Sequence, residues 1–114
     1  MESKRQQKIS KLIQHDMSEI FLQEMKPVLG NSLITVTNTR VTTDLSIARI
    51  YVSIMPIGDT TKEKVMEAIR ENTADLRRRL GLREAKQLRI IPSLEFFLDD
   101  SLDYIENIEN LLKK

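Results

Sequence analysis

The side chains best able to do chemistry in this chain are guanidinium groups. Arg70, Arg77, Arg78, Arg79 and Arg83 lie close together in sequence, and Lys86 and Arg89 prolong the run. A guanidinium is a planar fork of donors that matches two phosphate oxygens at once. Arg70 precedes Arg77 by seven residues, so on one continuous helix the two share a face and can hold neighbouring phosphates. Arg77, Arg78 and Arg79 are consecutive and step by about 100° each, so they fan out rather than focus on one point. Residues 62–89 carry nine Lys/Arg against five acids, whereas residues 95–114 carry six acids and two lysines. A basic middle beside an acidic end suggests an anionic partner for one face, with a well-solvated helix surface as the plainer explanation.

Other chemistries find little support. Three scattered glycines cannot build a phosphate-cradling loop. The single histidine, His15, neighbours lysines in sequence and is expected to face solvent, without a metal role. No Ser–His–Asp arrangement is visible around it. Asp99-Asp100 is an adjacent acid pair, and adjacency on an extended strand end turns the two side chains apart. Asp100 or Ser101 reads better as the cap of a following helix. Asp44 lies where a turn favours local backbone bonding. Catalytic residues, metal ligands, cofactors and small-molecule substrates are therefore all expected to be absent.

The elements that would position the basic residues follow from hydrophobic spacing. Ile9, Leu12, Ile13, Met17, Ile20, Phe21 and Met25 form one helical stripe over residues 4–25, with Lys4, Lys8, Lys11 and His15 on the other side. Lys26-Pro27 should stop that helix, and residues 29–32 read as a turn. LITVTNTRVT (33–42) and SIARIYVSI (46–54) are rich in β-branched residues and are joined by Thr43-Asp44-Leu45, which reads as a hairpin. Ala48, Ile50, Val52 and Ile54 share one face, and Arg49, Tyr51 and Ser53 the other. The first strand changes phase near Asn38, as a bulge would make it do.

Thr60-Thr61-Lys62-Glu63 has the form of a capping box opening a second helix. Val65, Ile69, Leu76 and Leu80 face inward along it, the pattern weakens at Asn72-Thr73-Ala74, and Gly81 is the expected stop. LRIIPSLEFFLDDS (88–101) supplies a last strand in which Leu94, Phe96 and Leu98 alternate. Pro92 interrupts it, and is expected to bend it so that those three residues meet the core. Ser101 then caps a final helix striped by Leu102, Ile105, Ile108 and Leu112. The result is a two-layer α+β domain, a three-stranded sheet covered by helices on one face.

Composition fits one globular domain. There are 114 residues, 40% hydrophobic and 31% charged, with no cysteine. The missing cysteine rules out disulfides and thiol catalysis and fits a reducing compartment. No apolar run reaches the roughly 18–20 residues of a membrane span, and the polar start MESKRQQKIS lacks the apolar core of a secretory signal. With few aromatic residues, stacking of bases is not expected as the main mode of nucleic-acid binding. Backbone and shape recognition with salt-sensitive affinity is.

The last strand also carries a resemblance. Leu88, Arg89, Pro92, Leu94, Phe96, Asp99 and Ser101 are similar to the signature of the ribosome-binding factor A family of small bacterial assembly factors. VTTDLSIARIYVSI (41–54) and LRRRLGLR (76–83) resemble further segments of that family, in the same order, from about residue 4 to residue 112. The resemblance implies a KH-like fold of the second topological type, α-β-β-α-kink-α-β with a C-terminal helix, forming a single RNA-binding domain over residues 1–114. It implies a non-enzymatic ribosome-biogenesis role in the cytoplasm: binding the free small ribosomal subunit and its rRNA, and assisting late rRNA maturation and processing, also in cold shock. The family's Ala-x-Gly kink would fall at Asn72, Thr73 and Ala74, where Asn replaces the Ala and Ala the Gly, so a shallower kink is expected. Candidate RNA-binding residues are Arg49, Arg70, Asn72, Thr73, Ala74, Arg77, Arg78, Arg79, Arg83, Lys86 and Arg89. A monomer without membrane association is expected. The alternative is an α+β protein–protein interaction module that pairs through its open sheet or final helix and binds no RNA.

Overall fold

The computed structural model describes residues 3–29 and 32–99. Its order is α1 (Lys4–Gln23), α2 (Lys26–Leu29), β1 (Leu33–Val41), β2 (Ile47–Met55), α3 (Lys62–Glu71), α4 (Thr73–Glu84) and β3 (Ser93–Leu98). This is the α-β-β-α-kink-α-β order of the KH-like topology. The expected final helix, with its Ser101 cap, lies outside the described residues. Among those described, no helix is long and apolar enough to cross a membrane.

The stripe along α1 is its buried face. Ile13, Met17 and Ile20 are wholly buried, and Ile9 and Phe21 nearly so; each such side chain contributes about 1.5–3 kcal/mol by leaving water. The helix starts in a capping box that the sequence pattern did not reveal. The Ser3 hydroxyl accepts from the Gln6 N–H at 3.1 Å, and the Gln6 Oε1 accepts from the Ser3 N–H at 2.8 Å. Lys26-Pro27 does not simply end the helical run, because a four-residue helix, α2, begins there; proline suits a first turn, where its missing N–H has no partner to lose.

β1 and β2 form the expected antiparallel hairpin, paired from Leu33↔Met55 to Val41↔Ala48. The register shifts between Val36 and Asn38, so Thr37 is the extra residue of a bulge and the phase change is accounted for. In the turn, Asp44 Oδ1 accepts from the Ser46 hydroxyl (2.7 Å), the Ser46 N–H (3.1 Å) and the Thr42 hydroxyl (2.9 Å). Those donors, the Ser46 hydroxyl first, hold its carboxyl below the usual range. β3 adds to the far side of β2 in parallel, from Ile47↔Ser93 to Val52↔Leu98, so β2 is central and the sheet order is β1-β2-β3. Parallel addition needs a long crossover, and α3 and α4 provide it on the same face as α1.

Three details correct the sequence reading. The cap of α3 is Thr61, whose hydroxyl accepts from the Lys64 N–H at 3.2 Å; Glu63 lies in the first turn rather than at the position that reaches back to the cap. Gly81 does not end α4, which runs to Glu84. A Cβ at position 81 would meet Ile91 Cγ1 at 3.3 Å, so the glycine serves close approach of the loop instead. Pro92 precedes β3 instead of bending it. Ser93 N–H donates to Ser46 and Asp99 N–H to Val52, so even positions of β3 turn their backbone groups outward and the N–H that Pro92 lacks would have had no sheet partner. Leu94 and Phe96 reach the core as expected, and Leu98 packs against it.

One buried group is unusual. Glu84, near the contact of α4 with α1, is completely buried, and neither carboxyl oxygen meets a donor. Burial pushes its pKa from the ordinary 4.5 up to about 8, with Asp16 adding to the rise. The protonated form can donate to Asp16, and the ionised form can do nothing useful there. A folded-state pKa raised above the unfolded one gives stability that is complete below about pH 4.5 and is lost as pH rises through about 8. Thermal melting across pH 5 to 8.5 should therefore show Glu84→Gln gaining on the wild type as pH rises. A gap that does not change with pH would contradict the buried protonated acid.

Candidate nucleic-acid interface

The break between α3 and α4 is one residue long. Asn72 has φ −101° and ψ 14°, outside the helical basin but with φ still negative. Among the described residues only Leu45 (φ 62°) and Gly58 (φ 82°) have positive φ, so the kink needs no left-handed residue. Asn72 Nδ2 donates to the Ala68 carbonyl at 2.8 Å and the Thr73 hydroxyl to the Ile69 carbonyl at 3.2 Å. These two side chains add a second donor to carbonyls that already accept from the Asn72 N–H, and so reinforce the last turn of α3. Asn72 and Thr73 are half-buried and Ala74 is exposed.

The break also separates Arg70 from Arg77, so they do not share one continuous helical face. Both turn instead to the outer edge of β3. Arg77 Nε donates to the Pro92 carbonyl at 3.1 Å and its Nη2 to the Ile91 carbonyl at 2.7 Å. Arg70 Nη2 reaches the Phe96 carbonyl at a looser 3.4 Å. The Pro92 and Phe96 carbonyls point away from β2 while their side chains are buried, so two arginines occupy acceptors that an edge strand otherwise offers to any passing chain.

Arg79 and Arg83 face the opposite way. Arg83 donates to Glu19 at 2.6 Å and to Glu24 at 2.8 Å, and Arg79 to Glu24 at 2.8 Å and Asp75 at 2.9 Å. This network ties α4 to the end of α1. Arg83, then Arg79, hold the Glu24 carboxyl below its usual range. Asp75 is lowered likewise by Arg79 and Arg78. Arg78 lies on the exposed side and pairs with Asp75 at 2.7 Å. Thus every arginine from 70 to 83 has a partner inside the protein. Lys86 and Arg89 are exposed, and among the described residues their side chains have no such partner.

The open sheet face carries Arg49, which pairs with Glu95 at 3.2 Å. Beside it Tyr51 stacks on Phe97, with ring centroids 5.3 Å apart and planes 27° from parallel. The sequence reading foresaw no aromatic cluster. These rings meet only because β3 is parallel to β2 in the register Tyr51↔Phe97. His15 also departs from expectation. It faces solvent, but Nε2 lies 3.1 Å from Glu19, a carboxylate rather than a lysine, and Asp16 is adjacent. Glu19 is itself bound to Arg83. Asp99 Oδ2 accepts from the Thr37 hydroxyl at 2.6 Å across the open face; Asp100 lies outside the described residues.

A second basic cluster escaped the sequence reading. Arg5 and Lys8 of α1 line one groove of about 890 Å³ together with Arg89 and the β1–β2 turn. More than 80 residues of chain separate the contributors, so no local signal joins them.

The arginines that join two helices and the arginine paired only within its own helix should differ in thermal melting. Arg83→Ala removes the α1–α4 tie and is expected to lower Tm by roughly 4–8 °C, a range that allows for solvent screening of the network. Arg78→Ala removes an exposed side chain whose one partner, Asp75, is also held by Arg79, and should cost less than about 3 °C. Equal losses would contradict the division.

Comparison with known proteins agrees with this architecture. The profile of the ribosome-binding factor A family matches residues 5–112. Ribosome-binding factor A of Cytophaga hutchinsonii is 44% identical over 114 residues, covering 100% of this chain and 84% of its own. The crystal structure of ribosome-binding factor A from Thermus thermophilus is similar with a TM-score of 0.65 at 22% identity, over 82% of this chain and 94% of that one. A Thermus thermophilus ribosome-binding factor A model fitted into the cryo-EM map of a 30S complex gives a TM-score of 0.63 at 22% identity, over 80% and 91%. On these matches and this fold, the chain belongs to the ribosome-binding factor A family.

Proposed function

We propose that this protein binds the free small ribosomal subunit through its rRNA and assists late maturation and processing of that RNA, with its need greatest in the cold. The observation that carries the reading is family membership over nearly the whole chain. The same fold, in the Thermus thermophilus factor, is fitted into a map of a 30S complex. The chain acts as a single RNA-binding domain in the cytoplasm, as a monomer, without catalysis, cofactor or small-molecule substrate. Of the candidate contacts, Lys86 and Arg89 have no partner among the described residues, whereas Arg49 and Arg78 must exchange an acidic partner for phosphate. Arg70, Arg77, Arg79 and Arg83 act chiefly by holding the α3–α4 crossover in place, and Asn72, Thr73 and Ala74 by shaping its kink.

A second reading, docking to a partner protein, draws on exposed Leu33, Met55 and Ile57, where the hairpin strands begin and end. Such a contact would be far less sensitive to salt.

Co-sedimentation with purified small subunits, large subunits and assembled ribosomes separates the two. Selective pelleting with the small subunit is expected, and its affinity should fall at least about tenfold between 50 and 200 mM salt as counterions compete for phosphate. Absence from every pellet would overturn the proposal. Salt-independent pelleting would favour the protein-docking reading.

A further inference from the structure

We infer that the groove between the start of α1 and the β1–β2 turn is where the rRNA backbone sits, held by Arg5, Lys8 and Arg89. This rests on the reading above and names the surface it leaves open. An RNA contact made with cations already paired inside the protein must first break those pairs. Arg5, Lys8 and Arg89 are exposed, converge on one groove, and among the described residues form no side-chain hydrogen bond or ion pair. The one acid lining the groove, Asp44, has its Oδ1 bound within its own turn by Ser46 and Thr42.

Contacts among the described residues do not explain these charges. Arg5 lies in the first turn of α1, which holds no acid. A cation there opposes the helix dipole, so it weakens the helix unless an external anion compensates. The site is not the helix end itself, since the Ser3–Gln6 capping box serves N–H groups there. It is the groove that two distant segments build.

The groove walls are mixed. Ile9 and Leu12 line one side, and Ile90, 76% exposed, stands on the other. Apolar side chains beside three cations suit a sugar–phosphate strand, whose phosphates take the charges while riboses or bases lie against Ile90 and the half-buried Leu12. A purely acidic protein segment would leave those walls unused.

The test uses the full-length triple variant Arg5→Gln/Lys8→Gln/Arg89→Gln, with Arg78→Gln as comparison. Binding to small subunits and to naked small-subunit rRNA is measured from 50 to 300 mM salt. Because the three residues have no partner among the described residues, the triple variant should melt at or slightly above the wild-type temperature. It should bind both targets at least about tenfold more weakly at low salt, with a log–log salt slope smaller by about two to three. Wild-type affinity in the triple variant would overturn this site while leaving the proposed function intact. Loss of subunit binding with unchanged rRNA binding would assign the groove to a ribosomal protein and likewise overturn it. A wild-type chain that binds neither target would overturn both readings.

Discussion

The parallel pairing of β3 with β2 is the constraint on which the rest of this structure depends. The β2 strand ends at Met55 and its parallel partner must begin beside Ile47, so the chain has to travel back along the length of the sheet. The broken helix α3–α4 makes that journey, and its basic surface is largely a consequence of how it is held. On one side, Arg70 and Arg77 bind carbonyls along the outer edge of β3. On the other, Arg79 and Arg83 bind carboxylates of α1 and the residue that closes it. Charge-assisted hydrogen bonds of this kind position one element against another more than they stabilise the whole, because the groups remain partly in water.

That division changes what a run of arginines means. In sequence, residues 70–89 look like one electropositive surface. In the fold, five of those arginines are partnered, and Arg89, without a partner among the described residues, belongs with Arg5 and Lys8 from the opposite end of the chain. The charge pattern of α1 follows the same logic. Its acidic end, Glu19 and Glu24, is answered by α4, whereas its basic start has no counterpart among the described residues. Three of the cations without a partner among the described residues, Arg5, Lys8 and Arg89, therefore converge on one groove. A nucleic acid is the kind of partner such a cluster attracts.

Much of the fold was legible because it rests on local periodicity. The α1 stripe, the β2 alternation, the phase slip at Asn38 and the weak point at Asn72 each follow from residues within one or two turns of each other. What stayed hidden depends on distant pairing. The stack of Tyr51 on Phe97 requires the β2–β3 register, which composition does not encode. The partners of Arg83 lie about 60 residues away. Gly81 looked like a helix stop because glycine usually is one there, while its actual reason is the approach of Ile91. In sequence Glu84 is one of five acids among residues 62–89, and only the packing of α4 buries it. The resemblance of the last strand to the family signature gave the family, but a signature does not say which arginines are free.

The most direct measurement is tethered hydroxyl-radical probing on the small subunit. The chain contains no cysteine, so a single Gln87→Cys in the groove and a single Met55→Cys at the end of β2 each give one defined attachment point. With iron chelated at position 87, strong cleavage of small-subunit rRNA is expected, and with iron at position 55 little or none. Strong cleavage from position 55 with none from position 87 would contradict the account, placing the rRNA at the end of the hairpin instead of in the groove.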